Sequence, residues 1–219
     1  MKSVPCCAAV LLALATSVQA TPYVFVTRHT QGVVRWNHLG FSNPSAQLNG
    51  ITGTLDWNAG TPAQSSVKAT IPMSGIATGV PDLDEHFNTA DFFDSAHFAQ
   101  ATFASTHVEA GAMPGTLKVT GDLALHGVTK PVTLDVTING SGKNPRNGLG
   151  TVGFEAVAVI KRSDFSLGRF VPQVSDDIRL ALTVEAVDAA ENEALEKAEA
   201  AKEEAEKKDA AKNAEAVKH

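Results

Sequence analysis

The sequence predicts an all-β fold of antiparallel strands. Period-two alternation of apolar and polar residues dominates residues 22–187. Turn-forming clusters ("NPSA", "NAGTP", "AGAMPG", "HGVTKP" and "NGSGKNPRNG") separate the alternating runs. A single long connection, between Met73 and Ala101, has no alternation and reads as one or two short helices, with Asp82 or Asp84 available near an N-terminus. Strands with one apolar and one wet face, joined by short links, favour a sandwich or a closed up-and-down barrel.

In chain order, a first strand lies near Tyr23 to Thr27. "VVRWNHLGF" sends Val34, Trp36 and His38 to one side, and "GITGTLDWN" turns Ile51, Leu55 and Trp57 inward. "SSVKATIPM" gives Val67, Ala69 and Ile71, and "ATFASTHV" gives Phe103. "TLKVTGDLALH" places Leu117, Val119, Leu123 and Leu125 inward, and "KPVTLDVTIN" adds Val132, Leu134, Val136 and Ile138. "TVGFEAVAVIKR" contributes Val152, Phe154, Ala156, Ala158 and Ile160; "DIRLALTVEA" contributes Ile178, Leu180, Leu182 and Val184. The count is about eight or nine strands. "RSDFSLG", residues 162–168, reads as a tight turn before the last of them.

The chain divides into three parts. Residues 1–20 carry one Lys, then an apolar run of signal-peptide length, then small residues at Val18-Gln19-Ala20, so the mature chain is expected to begin at Thr21. That run is too short to span a membrane, and no later run approaches the roughly 20 apolar residues a span needs. Both cysteines, Cys6 and Cys7, fall in this leader without a lipoprotein-type box around them. The body, 21–187, therefore relies on its own core rather than on disulfides. It holds 11 Lys/Arg against 14 Asp/Glu and has no basic patch, which excludes nucleic acid and anionic membrane surfaces as favoured partners. The tail, 188–219, is nearly all Ala, Glu and Lys. These are strong helix formers without a face to bury, so it reads as a solvated helix or disordered extension, or else as a spacer or weak coiled-coil contact.

Catalytic signatures are largely absent: there is no Gly-x-Ser-x-Gly elbow, no His-Glu-x-x-His and no Gly-x-Gly-x-x-Gly after a strand. His86 and His97 stand among Asp82, Asp84, Glu85, Asp91 and Asp94, but their spacing fits no compact metal-ligand set. Helix capping and the helix dipole account for such acids more simply. If the alternation continues through them, Trp36, His38 and Arg162 point inward. A buried Arg162 needs a partner: either Asp164, in a structural clamp, or a ligand headgroup.

These residues also carry a resemblance. The chain resembles the YceI-like family, periplasmic polyisoprenoid-binding proteins with a lipocalin-like barrel, from about Tyr23 to Ala186. The likeness rests on "WNHLGFS" followed by Gly50 and Gly53, "IATG", "DEHFNTADFFD", "ATFASTHV", "VTGDLALHGVTKPVTLDV", "GF" at 153–154 and "KRSDFSLG…VSDDIRL". Leu83 stands where relatives often carry Arg, Ala99 where they carry Pro, and Ser166 where they usually carry Gly.

The resemblance implies an extended antiparallel β-barrel of about eight strands around an elongated apolar tunnel. It implies a ligand, an isoprenoid lipid or quinone tail, and no separate cofactor or metal. On this reading Trp36, Leu55, Phe92, Phe93, Phe98, Phe103, Phe154, Ile160 and Phe165 line the tunnel, and His38, Arg162 and Asp164 meet the headgroup. Phe87, Phe92, Phe93 and Phe98 either line the tunnel or plug a barrel end. The expected protein is a soluble periplasmic carrier rather than an enzyme, acting as a homodimer or touching a membrane or membrane protein transiently. A quinone-linked electron-transfer accessory or enzyme, and a stress-protective barrel without ligand, are the rival readings.

Overall fold

A computed structural model describes residues 20–216, so the expected leader lies almost wholly outside the described residues. Eleven strands are present: β1 (Thr21–Phe25), β2 (Gln31–Arg35), β3 (Ser45–Leu48), β4 (Thr52–Trp57), β5 (Ser66–Pro72), β6 (Ile76–Ala77), β7 (Gln100–Ala110), β8 (Thr116–Leu125), β9 (Val128–Lys143), β10 (Gly150–Lys161) and β11 (Asp177–Asp188). Helix α1 spans Pro81–Asn88 and α2 spans Ala189–Ala216.

The eleven strands build eight wall staves, because three staves are broken in two. β1 pairs with β4 while β2 pairs with β3, and β4 pairs with β5 while β3 pairs with β6. From β7 to β11 each strand pairs with the next, always antiparallel, and β1 pairs with β11 to close the ring. Each stave therefore neighbours the next one in sequence: the fold is a closed eight-stranded up-and-down barrel. Closure leaves the wall no free edge beyond the two residues of β6, which pair with β3 alone, and this is how such a sheet avoids pairing with other chains.

The seam needs a local device. β11 shares one edge between β1, at Ala186 to Asp188, and β2, at Arg179 to Thr183. A 3-10 turn at Thr27–His29 separates the two, and Glu185 faces the gap. Val26 N–H donates to the Glu185 carbonyl at 2.8 Å. The buried Thr30 hydroxyl donates to the same carbonyl at 3.4 Å and accepts the Glu185 N–H at 3.3 Å. A side chain thus stands in for the missing stretch of ladder.

The two rims differ. The connections 36–44, 78–99, 126–127 and 162–176 all fall at one rim, which also carries α1. Thr21 and α2 leave from the other, together with the turns 58–65, 111–115 and 144–149. At the loop rim, β8 and β9 are joined by His126-Gly127, both with positive φ, a two-residue hairpin whose twist matches the strands. A Cβ on Gly127 would also lie 2.8 Å from the Phe98 ring. α1 starts with Pro81 at its first turn, and no side chain caps it. Asp84 instead accepts both the backbone N–H and the hydroxyl of Thr78 at 2.6 Å, which fixes the entry of the helix.

Inward positions read from the alternation are buried: Leu117, Val119, Leu123, Leu134, Val136, Val152, Phe154 and Ala156 all belong to one core cluster. β7 against β8 and β9 against β10 each carry one register shift, at Ser105/His107 and at Gly153/Phe154, which bends the staves. The Ala/Glu/Lys-rich tail forms α2. Its side chains from Glu196 to Lys208 are exposed and tied by Lys–Glu pairs four apart. Asp188 accepts the N–H groups of Ala190 and Glu191 at 3.0 Å, and the Glu191 carboxylate takes the Lys143 ammonium and the Gly150 N–H.

Two outcomes follow from these devices. Thr30→Val removes both seam hydrogen bonds without changing shape, and should lower stability in urea unfolding by about 1–2 kcal/mol, with faster amide exchange at Glu185. The Lys143 hydrogen bond, then the Gly150 N–H, hold the Glu191 carboxyl below its ordinary value of 4.5. A depressed carboxyl stabilises above its unfolded pKa and loses that contribution as the pH falls through its folded pKa. Protection of the Gly150 amide, measured against its intrinsic exchange rate at each pH, should therefore fall in acid below the ordinary carboxylate range, and Glu191→Gln should abolish that acid dependence.

Candidate functional site: an apolar lumen

The barrel is not filled by its own side chains. It holds a cavity of about 130 Å³. A single water needs only about 10–15 Å³ of such room. All eight staves contribute to the wall. On β8 alone the lining runs from Leu117 to Leu123, which corresponds to about 20 Å at strand rise. No titratable side chain is among the lining residues.

Glycines in inward positions explain why room remains. Phe25 and Phe103 both line the cavity, and each ring lies over a glycine of the adjacent stave. A Cβ on Gly53 would sit 2.5 Å from the Phe25 ring and 2.5 Å from the Lys68 carbonyl oxygen. One on Gly121 would sit 2.5 Å from the Phe103 ring and 2.5 Å from the Ala104 carbonyl oxygen. Gly32 similarly makes way for Leu182, 2.7 Å from its would-be Cβ. The large side chains rest on the wall where a side chain is missing rather than meeting across the axis.

The loop rim is closed by aromatic packing. Phe87 lies 5.7 Å from Trp36, 5.5 Å from Phe92 and 5.8 Å from Phe93, ring centre to ring centre. Phe92 also reaches Phe170 at 6.3 Å and His86 at 4.6 Å, and Phe93 packs against the core. Phe98 covers the His126-Gly127 hairpin, 4.8 Å from the His126 ring. An Arg169–Asp91 ion pair links the α1 connection to the 162–176 loop. Leu39, Phe41 and Phe170 stand out from this rim, 49%, 92% and 51% exposed.

Leu55, Phe103, Phe154 and Ile160 line the cavity. Phe92, Phe93 and Phe98 sit in the rim cap and are not among its lining residues, and neither is Phe165, although Phe165 is fully buried in the core beside them. Trp36 and His38 correct the inward reading: β2 stops at Arg35, the alternation stops with it, and the chain folds into a loop. Trp36 is half-buried against Phe87, and His38 is exposed, bridged to Ser42 and Val174.

Arg162 is buried as expected, but its partner is not Asp164, which is exposed. Its guanidinium donates to four backbone carbonyls: Ser175 at 2.9 Å, Arg169 at 2.7 Å, Val174 at 3.0 Å, and Leu167. Four of five donors are thereby engaged in holding the 162–176 loop. Asp176 joins them through Ser163, accepting its N–H at 2.8 Å and its hydroxyl at 2.7 Å. Burial opposes the charged form of Asp176, but these bonds with Lys161 and Arg162 outweigh it and hold the carboxyl below its usual value. Ser166 adopts a φ of 61°, in the left-handed region that glycine favours.

The YceI-like domain family matches residues 23–186. Protein YceI of Escherichia coli is 37% identical over 153 residues, covering 70% of this chain and 78% of that protein. The crystal structure of the Campylobacter jejuni YCEI protein superposes with a TM-score of 0.59 at 28% identity, over 69% of this chain and 88% of its own. A polyisoprenoid binding domain from Saccharophagus degradans, implicated in plant cell wall breakdown, superposes with a TM-score of 0.58 over 76% of this chain and 98% of its own. At 12% identity that last likeness shows the fold alone.

The glycine pockets can be tested directly. Gly121→Ala should lower stability by about 1–3 kcal/mol in urea unfolding, as overpacking does. Phe103→Leu in the same chain should restore part of that loss, because it removes the ring atoms but not the Ala104 carbonyl from the new methyl group.

Proposed function

Because the chain belongs to the YceI-like family over residues 23–186, we propose that it is a binding protein that holds the hydrocarbon tail of an isoprenoid amphiphile inside its lumen. The observation that carries this reading is the cavity itself: long, closed by a paired wall, and apolar along its length. Burying such a tail gains about 0.8 kcal/mol per methylene-sized unit. A lumen without a titratable side chain favours enclosure over catalysis, and so favours the carrier over a quinone-linked enzyme. A ligand-free protective barrel would have its interior filled by its own side chains, which the cavity argues against.

The carrier acts in the periplasm after removal of the leader Met1–Ala20. No helix of the described residues is long and apolar enough to cross a membrane. Loading then requires contact with a membrane or membrane protein, and the exposed Leu39, Phe41 and Phe170 at the loop rim suit such a transient contact better than the acidic tail does. Self-association as a homodimer is compatible with this cycle and is not required by it.

Organic extraction of the purified protein followed by mass spectrometry should return an isoprenoid compound. Val119→Phe, in the middle of the β8 lining, should return several-fold less while keeping a thermal midpoint close to that of the parent. Repeated extraction of no lipid from the parent chain, expressed where isoprenoids are made, would sink the proposal.

A further inference from the structure

The connection that caps the α1 rim is bonded to itself. Within residues 78–98, the Phe93 N–H donates to the Phe87 carbonyl and the Asp94 N–H to the Thr89 carbonyl, both at 3.0 Å. The His97 and Phe98 N–H groups donate to the Asp94 carbonyl at 2.9 and 2.8 Å, and the Ser95 hydroxyl donates to Asn88 Oδ1 at 2.6 Å. Among the described residues, no hydrogen bond of this segment crosses to another part of the barrel. What crosses is the exposed Arg169–Asp91 ion pair and the ring contacts with Trp36, Phe170 and His126, while Phe93 rests on the core. No residue of α1 is buried. At the near end of the segment Gly79 has a φ of 79° and open space around it, after a β6 of two residues. At the far end the Ala99 carbonyl accepts the Met73 N–H at 2.9 Å, and β7 begins.

The other surroundings of the lumen are fixed by backbone bonds. In the wall, Thr151 to Lys161 pair with Val187 to Asp177 without a break, so parting two staves breaks a ladder. At the opposite rim, the turns are closed by the Gly111 N–H on the Thr116 carbonyl and the Asn144 N–H on the Leu149 carbonyl, both at 2.8 Å, and by the Asn58 N–H on Ser65 Oγ at 3.0 Å. The lumen nevertheless reaches the α1 rim: Ile71, Leu123 and Ile160 line it within two residues of the ends of β5, β8 and β10. Resting on the carrier reading above, we propose that residues 78–98 are a lid that swings as one body to admit the ligand, with Gly79 and Ala99 as hinges and the Arg169–Asp91 pair as latch. Opening gives up ring contacts and one exposed ion pair, and leaves every backbone hydrogen bond in place. Arg169 and Phe170 stand on the loop that Arg162 pins, so the lid closes against a fixed frame. A lid slows entry and exit alike, so it sets rates and leaves affinity unchanged.

No cysteine stands after Cys7, so Asp91→Cys with Arg169→Cys gives the body one thiol pair, which a short disulfide-forming crosslinker bridges reversibly. The probe is diphenylhexatriene, a rod-shaped hydrocarbon that fluoresces in apolar surroundings, mixed in stopped flow with lipid-stripped protein. Once bridged, the protein should take up and release the probe about tenfold more slowly at unchanged affinity, and reduction of the bridge should restore both rates. The same bridge on Lys118→Cys with Asp135→Cys, a pair across β8 and β9 on the outer wall, should leave both rates as in the parent. Asp91→Asn, which unlatches the lid, should speed uptake and release about threefold, the weight of one exposed ion pair. Three results would overturn the proposal: uptake through the bridged lid at the parent's rate, which means another entrance; equal slowing by the wall bridge, which is general stiffening; or lost affinity at an unchanged rate of entry, which is a binding surface and not a lid. A parent chain that neither yields lipid on extraction nor takes up the probe fails as a carrier and leaves the lid nothing to admit. That outcome is distinct from uptake at a rate the bridge does not change.

Discussion

The structure depends on a requirement set by the lumen: an apolar interior cannot leave backbone N–H and C=O groups of its wall unpaired. A ring in which each stave bonds to two neighbours meets that requirement. The alternative of two open sheets would leave four edges to protect. The requirement is felt most at the seam, where one edge of β11 serves both β1 and β2. The chain fills the gap there with the Thr30 hydroxyl rather than with more strand. It also explains Arg162. Segment 162–176 has no ladder of its own, so a guanidinium gathers the carbonyls that a strand would have paired.

Once the wall is complete, what it encloses is decided by side-chain volume. An eight-stranded barrel is wide enough for its own side chains to fill. Gly53 and Gly121 decide otherwise by giving Phe25 and Phe103 a place to lie on the wall. Aromatic bulk is concentrated instead at the α1 rim, where Trp36, Phe87, Phe92 and Phe170 pack with one another. Core and cap thus divide the work: the staves shape a void, and the connection between β6 and β7 shields one end of it.

Much of this was legible in the sequence, for a local reason. Strand alternation has a period of two and repeats along every stave, so Leu55, Phe103, Phe154 and Ile160 could be assigned inward from neighbours one residue away. The same rule failed where the strands stop. Trp36 and His38 lie just past Arg35, in a loop whose direction is set by partners such as Pro44, Ser42 and Gln173. Arg162 lies past Lys161, in a turn, and its partners are carbonyls that carry no residue signature. The role of Phe92, Phe93 and Phe98 was equally hidden, since no period runs through the α1 connection. Two signals were available and not used: glycine in an inward slot at Gly53 and Gly121 marks space reserved for a neighbour's ring.

The exit of Thr21 and of α2 from one rim has a mechanical consequence. Twenty-eight residues of helix extend about 42 Å, so α2 is a rod comparable in length to the barrel it springs from. Its first turn is tied to the body through Asp188 and Glu191. A group attached along α2 acts as a handle on that side of the barrel, away from the opposite rim with Leu39, Phe41 and Phe170.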